Sequence, residues 1–178
     1  DGIWRVNLTS RFISLACSRY TRWEEFAAKL DKPLAAFIRI YRPAFFERVG
    51  LRYLNFISRN TLELGGTPFR SLLAPSYLGI LSDPEINEAA ALRTTVDADV
   101  AIRAGCRAKI HAGPGIVRRP GHHDTEPKFI LDFDLYMPGK LVLNHSAGAL
   151  HTLHAQAYSL FRGAITDTLH EAMEPIDL

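Results

Sequence analysis

The sequence is poor in cysteine and contains no long apolar run. Its two cysteines, Cys17 and Cys106, are far apart in the chain, which excludes a disulfide framework and a zinc knuckle. No apolar stretch reaches the length of a membrane-spanning helix, which is about 20 residues, and no signal peptide is recognisable. We therefore expect a cytoplasmic protein with two reduced thiols and no membrane partner.

Neither sign of charge dominates the sequence. Lysine and arginine together number 21 and aspartate and glutamate 19, a formal net charge of +2. Basic residues cluster locally at 103–109 and 118–119, but they form no stripe like that of a nucleic-acid-binding protein, so nucleic acid is not the expected partner. The apolar content of 47% is typical of a folded domain.

The length of 178 residues suits one domain with a sizeable core. We expect a single α+β domain over 1–178. The chain begins at Asp1 and enters a strand pattern within three residues, which predicts that an N-terminal stretch precedes it.

The first third of the chain predicts a hairpin and then a helix. Two short strand patterns lie within 3–20, and Thr9-Ser10-Arg11 is the expected turn between them. Apolar residues three and four apart over 21–41 predict a helix. Thr21 followed by Glu24 is typical of a capping box. Pro33 leaves two alternatives, a kinked helix or two abutting helices, and we favour the second.

The remaining segments predict most of an antiparallel sheet and a closing helix. Strand patterns cover 45–58, 90–100, 106–117 and 128–137, while 63–87 is expected to be a long loop or lid. Residues 112–117 suggest a bulge or turn. A long C-terminal helix is predicted over 146–173, with Ser146 as its N-cap. The predicted fold is an antiparallel sheet of about five to six strands with helices on one face.

Several motifs resemble those of a sporadically distributed family of prokaryotic proteins to which no activity is assigned. The stretches are "YTRWEEF", "RVGLRYLNFI", "LDFDLY" and "LHTLHAQAYSLFRGAITDTLHEAM". The family pattern has Arg-x-Gly-x-Arg-Tyr-x-Asn on a strand, matched by 48–55, and Ile-Thr-Asp in a terminal helix, matched by 165–167. The resemblance spans most of the chain and implies no particular chemistry.

A pair of arginines on one strand is the main candidate site. Because side chains alternate along a strand, Arg48, Gly50 and Arg52 share one face, and Asp132 and Asp134 share one face of a later strand. If these strands are neighbours, the four charges form a cross-strand ladder. Gly50 would leave room for a side chain or a ligand. The ladder either holds strand register, which we favour, or leaves an arginine for a phosphate or carboxylate.

The C-terminal region adds one candidate, Asp167, which could bond locally or contact these arginines; we favour a structural tie. The histidines favour no metal site: His122 and His123 lie in a loop, and His151 and His154 share a helix face without further ligands. Cys17 and Cys106 are expected to be packed thiols. The tentative ligand-binding set is Arg48, Arg52, Asp132, Asp134 and Asp167, with no catalytic residue, metal or cofactor assigned.

Three functional hypotheses follow from these patterns. The leading one is a non-enzymatic binding or regulatory protein that acts through a protein partner, because no acid, base, nucleophile and metal ligands converge. The competing one is an enzyme or a nucleotide- or phosphate-binding protein that uses Arg48 and Arg52. The third, nucleic-acid binding, has little support from the charge. A homo-oligomer is left open.

Overall fold

The computed structural model describes residues 2–118, 121 and 124–174. The chain divides into two compact units, residues 1–46 and 47–178. The expectation of one domain over 1–178 stays a prediction. In the described part of the chain, no helix has both the length and the apolar character needed to cross a membrane.

The first unit contains the predicted hairpin. Strands β1 (Trp4–Leu8) and β2 (Ile13–Cys17) pair antiparallel. The Thr9 hydroxyl holds the turn, because it accepts hydrogen bonds from the backbone N–H groups of Arg11 and Phe12 at 3.1 and 3.2 Å. The hairpin forms a two-stranded sheet of its own. The prediction of five to six strands in one sheet is therefore wrong, since the six strands of the described residues belong to two sheets.

Helix α1 (Trp23–Tyr41) follows as one continuous helix that contains Pro33, so the preferred prediction of two abutting helices is wrong. The capping box is also absent: Arg22 is the N-cap, without a side-chain bond, and the Thr21 hydroxyl instead donates to Glu25 at 2.7 Å. A proline in a helix interior costs about 3 kcal/mol. Ring contacts lie on both sides of Pro33, those of Phe26 before it and those of Phe37 after it, and they offset part of that cost.

The second unit is built on a four-stranded sheet. Its strands are β3 (Phe46–Ile57), β4 (Val96–Ala101), β5 (Arg107–Ile116) and β6 (Pro127–Leu141). The spatial order is β3-β6-β5-β4, with β4, β5 and β6 forming an antiparallel meander. β5 stays paired with β6 as far as Ile116, so the bulge or turn predicted for 112–117 is wrong.

One face of this sheet is the core face. The predicted alternation along β6 is confirmed, since Leu131, Phe133 and Leu135 are fully buried whereas the intervening residues are not. Apolar residues of the segment between β3 and β4 and of the C-terminal helices complete the core. The largest fully buried side chains are Phe69, Phe129, Phe133, Ile57, Leu72, Leu73, Leu78, Leu131, Leu135, Leu153, Leu169 and Cys106.

Much of the predicted loop over 63–87 is folded and packed. It contains 3₁₀ turns at Phe69–Ser71 and Gly79–Ser82 and the short helix α2 (Pro75–Leu78). Several of its apolar side chains, including those of Leu72 and Leu73, are buried. Its function as a lid stays a prediction.

The C-terminal helix is interrupted where a single helix was predicted. α3 (Ser146–Ala164) ends, and α4 (Asp167–Ala172) begins after two extended residues. There the chain bonds to the packed segment: the Thr166 N–H donates to the Leu72 carbonyl at 3.0 Å and its hydroxyl to the Ser71 carbonyl at 2.9 Å. These long-range bonds replace the intrahelical ones and explain the break.

The predicted N-cap of this helix is also wrong. His145 is the N-cap residue of α3, and the Ser146 hydroxyl donates to the Leu143 carbonyl at 2.7 Å. Ser146 is nevertheless buried, so this bond satisfies a hydroxyl that would otherwise lose its water partner.

Candidate functional site

The arginines of β3 pair with the aspartates of β6, as the ladder hypothesis predicts. Arg52 binds Asp132 through two parallel bonds, Nε to Oδ1 at 2.7 Å and Nη2 to Oδ2 at 2.5 Å. Arg48 places Nη2 at 2.8 and 2.9 Å from the two carboxylate oxygens of Asp134. The hydrogen bonds to Asp132 hold the pKa of Arg52 above its ordinary value.

The Arg48 side chain lies over Gly50, at a distance that would still leave space for a Cβ atom. A Cβ atom at Gly50 would lie 3.6 Å from Arg48 Nη2 and 3.7 Å from its Cζ. The guanidinium therefore lies across the glycine on its way to Asp134, and it also covers the ring of Tyr136 at 4.4 Å from the centroid. The predicted space above Gly50 is filled by a side chain of the same strand.

Charged residues continue across the other two strands of the same face. The pairing of β6 with β5 and of β5 with β4 places them in two rows of directly opposed residues. Read from β6 to β4, the rows are Asp132–His111–Asp97 and Asp134–Lys109–Asp99.

We call these eight side chains the charged sheet face. Each strand contributes one pair: the β3 arginines, the β6 aspartates, the β5 basic pair and the β4 aspartates. In that order they are Arg48 and Arg52, Asp132 and Asp134, Lys109 and His111, and Asp97 and Asp99. The sign of the charge on the pairs alternates from each strand to the next when His111 is protonated.

His111 and Asp97 close the first row with a hydrogen bond. His111 Nδ1 lies 2.6 Å from Asp97 Oδ1. This bond lowers the pKa of Asp97, and the positive charges of His111 and Arg93 act in the same direction. Asp97 is therefore ionised at neutral pH and presents negative charge at this edge.

The charged sheet face is open to solvent. The Arg48 and Arg52 side chains are 51% and 61% exposed, whereas those of Asp134 and Asp132 are 30% and 17% exposed. A surface depression of about 550 Å³ crosses all four strands and is lined mainly by these charged residues. The guanidinium groups are thus partly available to a further acceptor, whereas the β6 carboxylates are less exposed and already accept hydrogen bonds from the arginines.

Asp167 does not share this arrangement. Its Oδ1 accepts a hydrogen bond from Arg162 Nη2 at 2.6 Å, within the turn between α3 and α4. Asp167 therefore bonds locally and does not contact the β3 arginines. The neighbouring residue, Thr166, makes the bonds that tie this turn to residues 71–72.

His154 has a structural contact. His154 Nδ1 lies 2.9 Å from the Tyr53 hydroxyl. Among the described residues, no group of three or more potential metal ligands occurs. His122 and His123 lie outside the described residues. Cys17 and Cys106 are free thiols, and burial raises the pKa of Cys106.

A second polar cluster lies at one end of the β3–β6 pair and was not anticipated from sequence. Glu126 accepts from the Ser58 hydroxyl at 2.6 Å, from the Asn60 N–H at 2.9 Å and from Lys128 Nζ at 3.1 Å. Lys128 also bonds to Asp124. We call these five residues the Glu126 cluster.

The Glu126 cluster is sheltered from solvent. The Glu126 and Lys128 side chains are only 10% and 14% exposed. Burial disfavours the charged form of Glu126, but its hydrogen bonds outweigh that effect and its pKa lies below the ordinary value. The bond to Asp124 raises the pKa of Lys128. The cluster therefore holds its charges in place at the start of β6.

Sequence reasoning missed half of the charged sheet face. Asp97 and Asp99 alternate along β4, and Lys109 and His111 alternate along β5, so the same period-two pattern that revealed the arginines was present. The pairs carry no distinctive motif. Only the strand order shows that they lie beside the ladder.

Comparisons of this chain with protein-family models, with curated proteins and with solved structures found no match. The resemblance to the prokaryotic family therefore stays a prediction, and the function is argued from the geometry.

Proposed function

We propose that this protein is a non-enzymatic binding or regulatory protein of the cytoplasm that acts through a protein partner. The contact surface is the charged sheet face. One observation carries the proposal: four adjacent strands present pairs of charged side chains on a solvent-exposed face, and the sign of the pairs alternates when His111 is protonated.

The structure of the face suits a protein partner because a protein surface also carries both signs. Arg48 and Arg52 keep donors exposed beside carboxylates that cannot donate. A partner with acidic and basic side chains at matching positions would satisfy both signs at once. Such complementarity supplies specificity and association rate more than affinity.

The same arrangement disfavours a free phosphate or nucleotide. Both arginines are already bonded to carboxylates, and the β4 aspartates lie on the same face. A phosphate could use only the donors that these bonds leave free, where it would lie close to the β6 carboxylates, and like charges at short range repel. Unlike a protein surface, it carries no basic group that would offset this repulsion. The phosphate backbone of a nucleic acid would be repelled by the same carboxylates, those of the β6 and β4 aspartates.

The proposal is tested by affinity capture of the tagged full chain from its own cells, followed by mass spectrometry. Arg52→Gln removes one exposed guanidinium and should reduce recovery of the specific partner at least about tenfold, the effect of losing about 1.4 kcal/mol. Arg70→Gln is the matched control, because Arg70 is also exposed but lies outside the sheet.

Two results would contradict the proposal. One is equal recovery of every co-purifying protein by the two arginine variants. The other is a thermal shift of the wild-type protein with inorganic phosphate or a nucleotide that Arg52→Gln abolishes, which would favour the phosphate-binding alternative.

A further inference from the structure

The order of charges on the sheet has a symmetry property. From one edge to the other, the stripes are the β3 arginines, the β6 aspartates, the β5 basic pair and the β4 aspartates. Because the number of alternating stripes is even, the two edge strands carry opposite signs. If the order of the strands is reversed, every positive stripe therefore lies opposite a negative stripe of the original order.

A two-fold rotation performs that reversal. If the axis runs parallel to the strands, midway between β6 and β5, it places β3 opposite the partner's β4 and β6 opposite the partner's β5. Position along the strands is unchanged. The Arg52 guanidinium, which bonds to Asp132 in the first row, therefore faces the partner's Asp97. The Arg48 guanidinium, which bonds to Asp134 in the second row, faces the partner's Asp99. A two-fold axis in the same plane but across the strands would instead place each strand on its own copy and like charges on like.

We propose that the partner seated on the charged sheet face is a second copy of this chain, related by the two-fold axis parallel to the strands. This inference rests on the proposed function and names its partner. Contacts of this kind are isologous, so each of them occurs twice in a closed dimer. Two twisted sheets of the same hand pack face to face with their strands within about 30° of each other, which keeps the stripes aligned.

The donors left on the arginines support intermolecular pairing. Arg52 uses Nε and Nη2 for Asp132, and Arg48 uses Nη2 for Asp134. A guanidinium has five N–H donors, so each arginine can bond a second carboxylate without giving up the first. The carboxylate that faces Arg52 in the dimer is also well exposed: the Asp97 side chain is 67% exposed, compared with 17% for Asp132.

The size of the face indicates a weak dimer. Three inter-strand spacings of about 4.8 Å make the four-stranded face about 14 Å wide, and a standard interface buries about 800 Å² per partner. Leu54 and Phe56 add apolar area, because they follow Arg52 at alternate positions on β3 and are 48% and 38% exposed. An interface dominated by exposed charges is screened by salt.

The test is sedimentation equilibrium of the purified full chain over a range of concentrations and at two salt levels. We expect a monomer–dimer equilibrium whose dissociation constant rises at least about tenfold from 50 mM to 500 mM salt, since the Debye length then falls below the spacing of neighbouring stripes. A chain that remains monomeric at several hundred micromolar in low salt would overturn the inference.

Charge-swap variants test the axis itself. Arg48→Glu with Arg52→Glu places negative charge opposite the β4 aspartates, and Asp97→Lys with Asp99→Lys places positive charge opposite the β3 arginines. Each double variant alone should fail to dimerise, whereas an equimolar mixture should form the heterodimer, because both facing stripes are then of opposite sign. A dimer that survives in either variant alone, or a mixture that stays monomeric while both variants are folded, contradicts the proposed axis.

A milder variant covers the case in which a swap unfolds the chain. Asp97→Asn with Asp99→Asn introduces no repulsion within the sheet and should still raise the dissociation constant at least about tenfold, while Arg70→Glu should leave it unchanged. Circular dichroism confirms folding of each. If the purified chain is monomeric but Arg52→Gln still loses a captured protein, only the second-copy inference fails; if both results are negative, the proposed function fails as well.

Discussion

The Glu126 cluster lies at one end of β3 and β6, the two strands that carry the arginine–aspartate pairs of the charged sheet face, but the two regions differ in exposure. Arg48 and Arg52 are more than half exposed, whereas Glu126 and Lys128 are at most 14% exposed. Exposed ion pairs typically contribute 0–1 kcal/mol, while removing one member of a sheltered network leaves its partners without bonds. The sheltered cluster therefore stabilises the fold, and the exposed face remains available for binding.

The largest expected effect comes from breaking the sheltered cluster. Glu126→Ala leaves the Ser58 hydroxyl, the Asn60 N–H and Lys128 without their common acceptor, and we expect a loss of about 3 kcal/mol in the free energy of unfolding. Denaturant titration measures it. Glu85→Ala is the control, because Glu85 is exposed; equal losses for the two variants would refute the assigned role of the cluster.

Two glycines of the sheet, Gly113 and Gly50, differ in the space that a Cβ atom would find. A Cβ at Gly113 would lie 2.6 Å from the Thr94 carbonyl oxygen, a backbone atom, whereas a Cβ at Gly50 would meet nothing closer than 3.4 Å. We expect Gly113→Ala to lower the free energy of unfolding by about 2 kcal/mol through overpacking. Gly50→Ala should change it by less than about 0.5 kcal/mol.

Thermal and denaturant unfolding of these two glycine variants distinguishes the positions. A tolerant Gly113 would mean that the 94–95 segment can move away from the sheet. A destabilised Gly50→Ala would mean that the Arg48 side chain cannot adjust above it.

A pH titration should separate the two regions further. The folded-state pKa of Glu126 is lowered from 4.5, so its contribution to stability is present above that value and is lost as the pH falls through the lower folded pKa. The stability difference between wild type and Glu126→Gln should therefore shrink in acid. The measurement is denaturant unfolding from pH 7 to pH 3, and a constant difference across that range would contradict the assignment.

The smallest expected effect on stability is at the exposed ladder. A double-mutant cycle of Arg52→Ala and Asp132→Ala should give a coupling energy of about 0.5 kcal/mol, because solvent screens the pair. A coupling energy of about 2 kcal/mol or more would place the ladder with the sheltered cluster as a stabilising element. The difference between the regions would then disappear.

The local patterns of the sheet were predictable from sequence. The alternation of Arg48, Gly50 and Arg52 and that of Asp132 and Asp134 follow from the period-two geometry of an extended chain. So does the burial of the residues between them. The hairpin turn at Thr9 was equally predictable, because the Thr9 hydroxyl bonds to residues only two and three positions away.

Features that depend on distant partners were not predictable in the same way. Helix α1 continues through Pro33, and the C-terminal helix breaks at Thr166, where backbone groups bond to residues about 95 positions earlier. The Glu126 cluster likewise joins Ser58 to Glu126, 68 positions later in the chain. Local propensity carries no information on such pairings.

By itself, the sequence determined which side chains share a face of each strand, because that depends only on backbone geometry over a few residues. The tertiary structure decided that β6 lies between β3 and β5 and that β4 lies at the edge. Strand order reflects the packing of the whole core and the closure of long connections, so it cannot be read from any one segment. That order turns four separate charge pairs into alternating stripes on one surface.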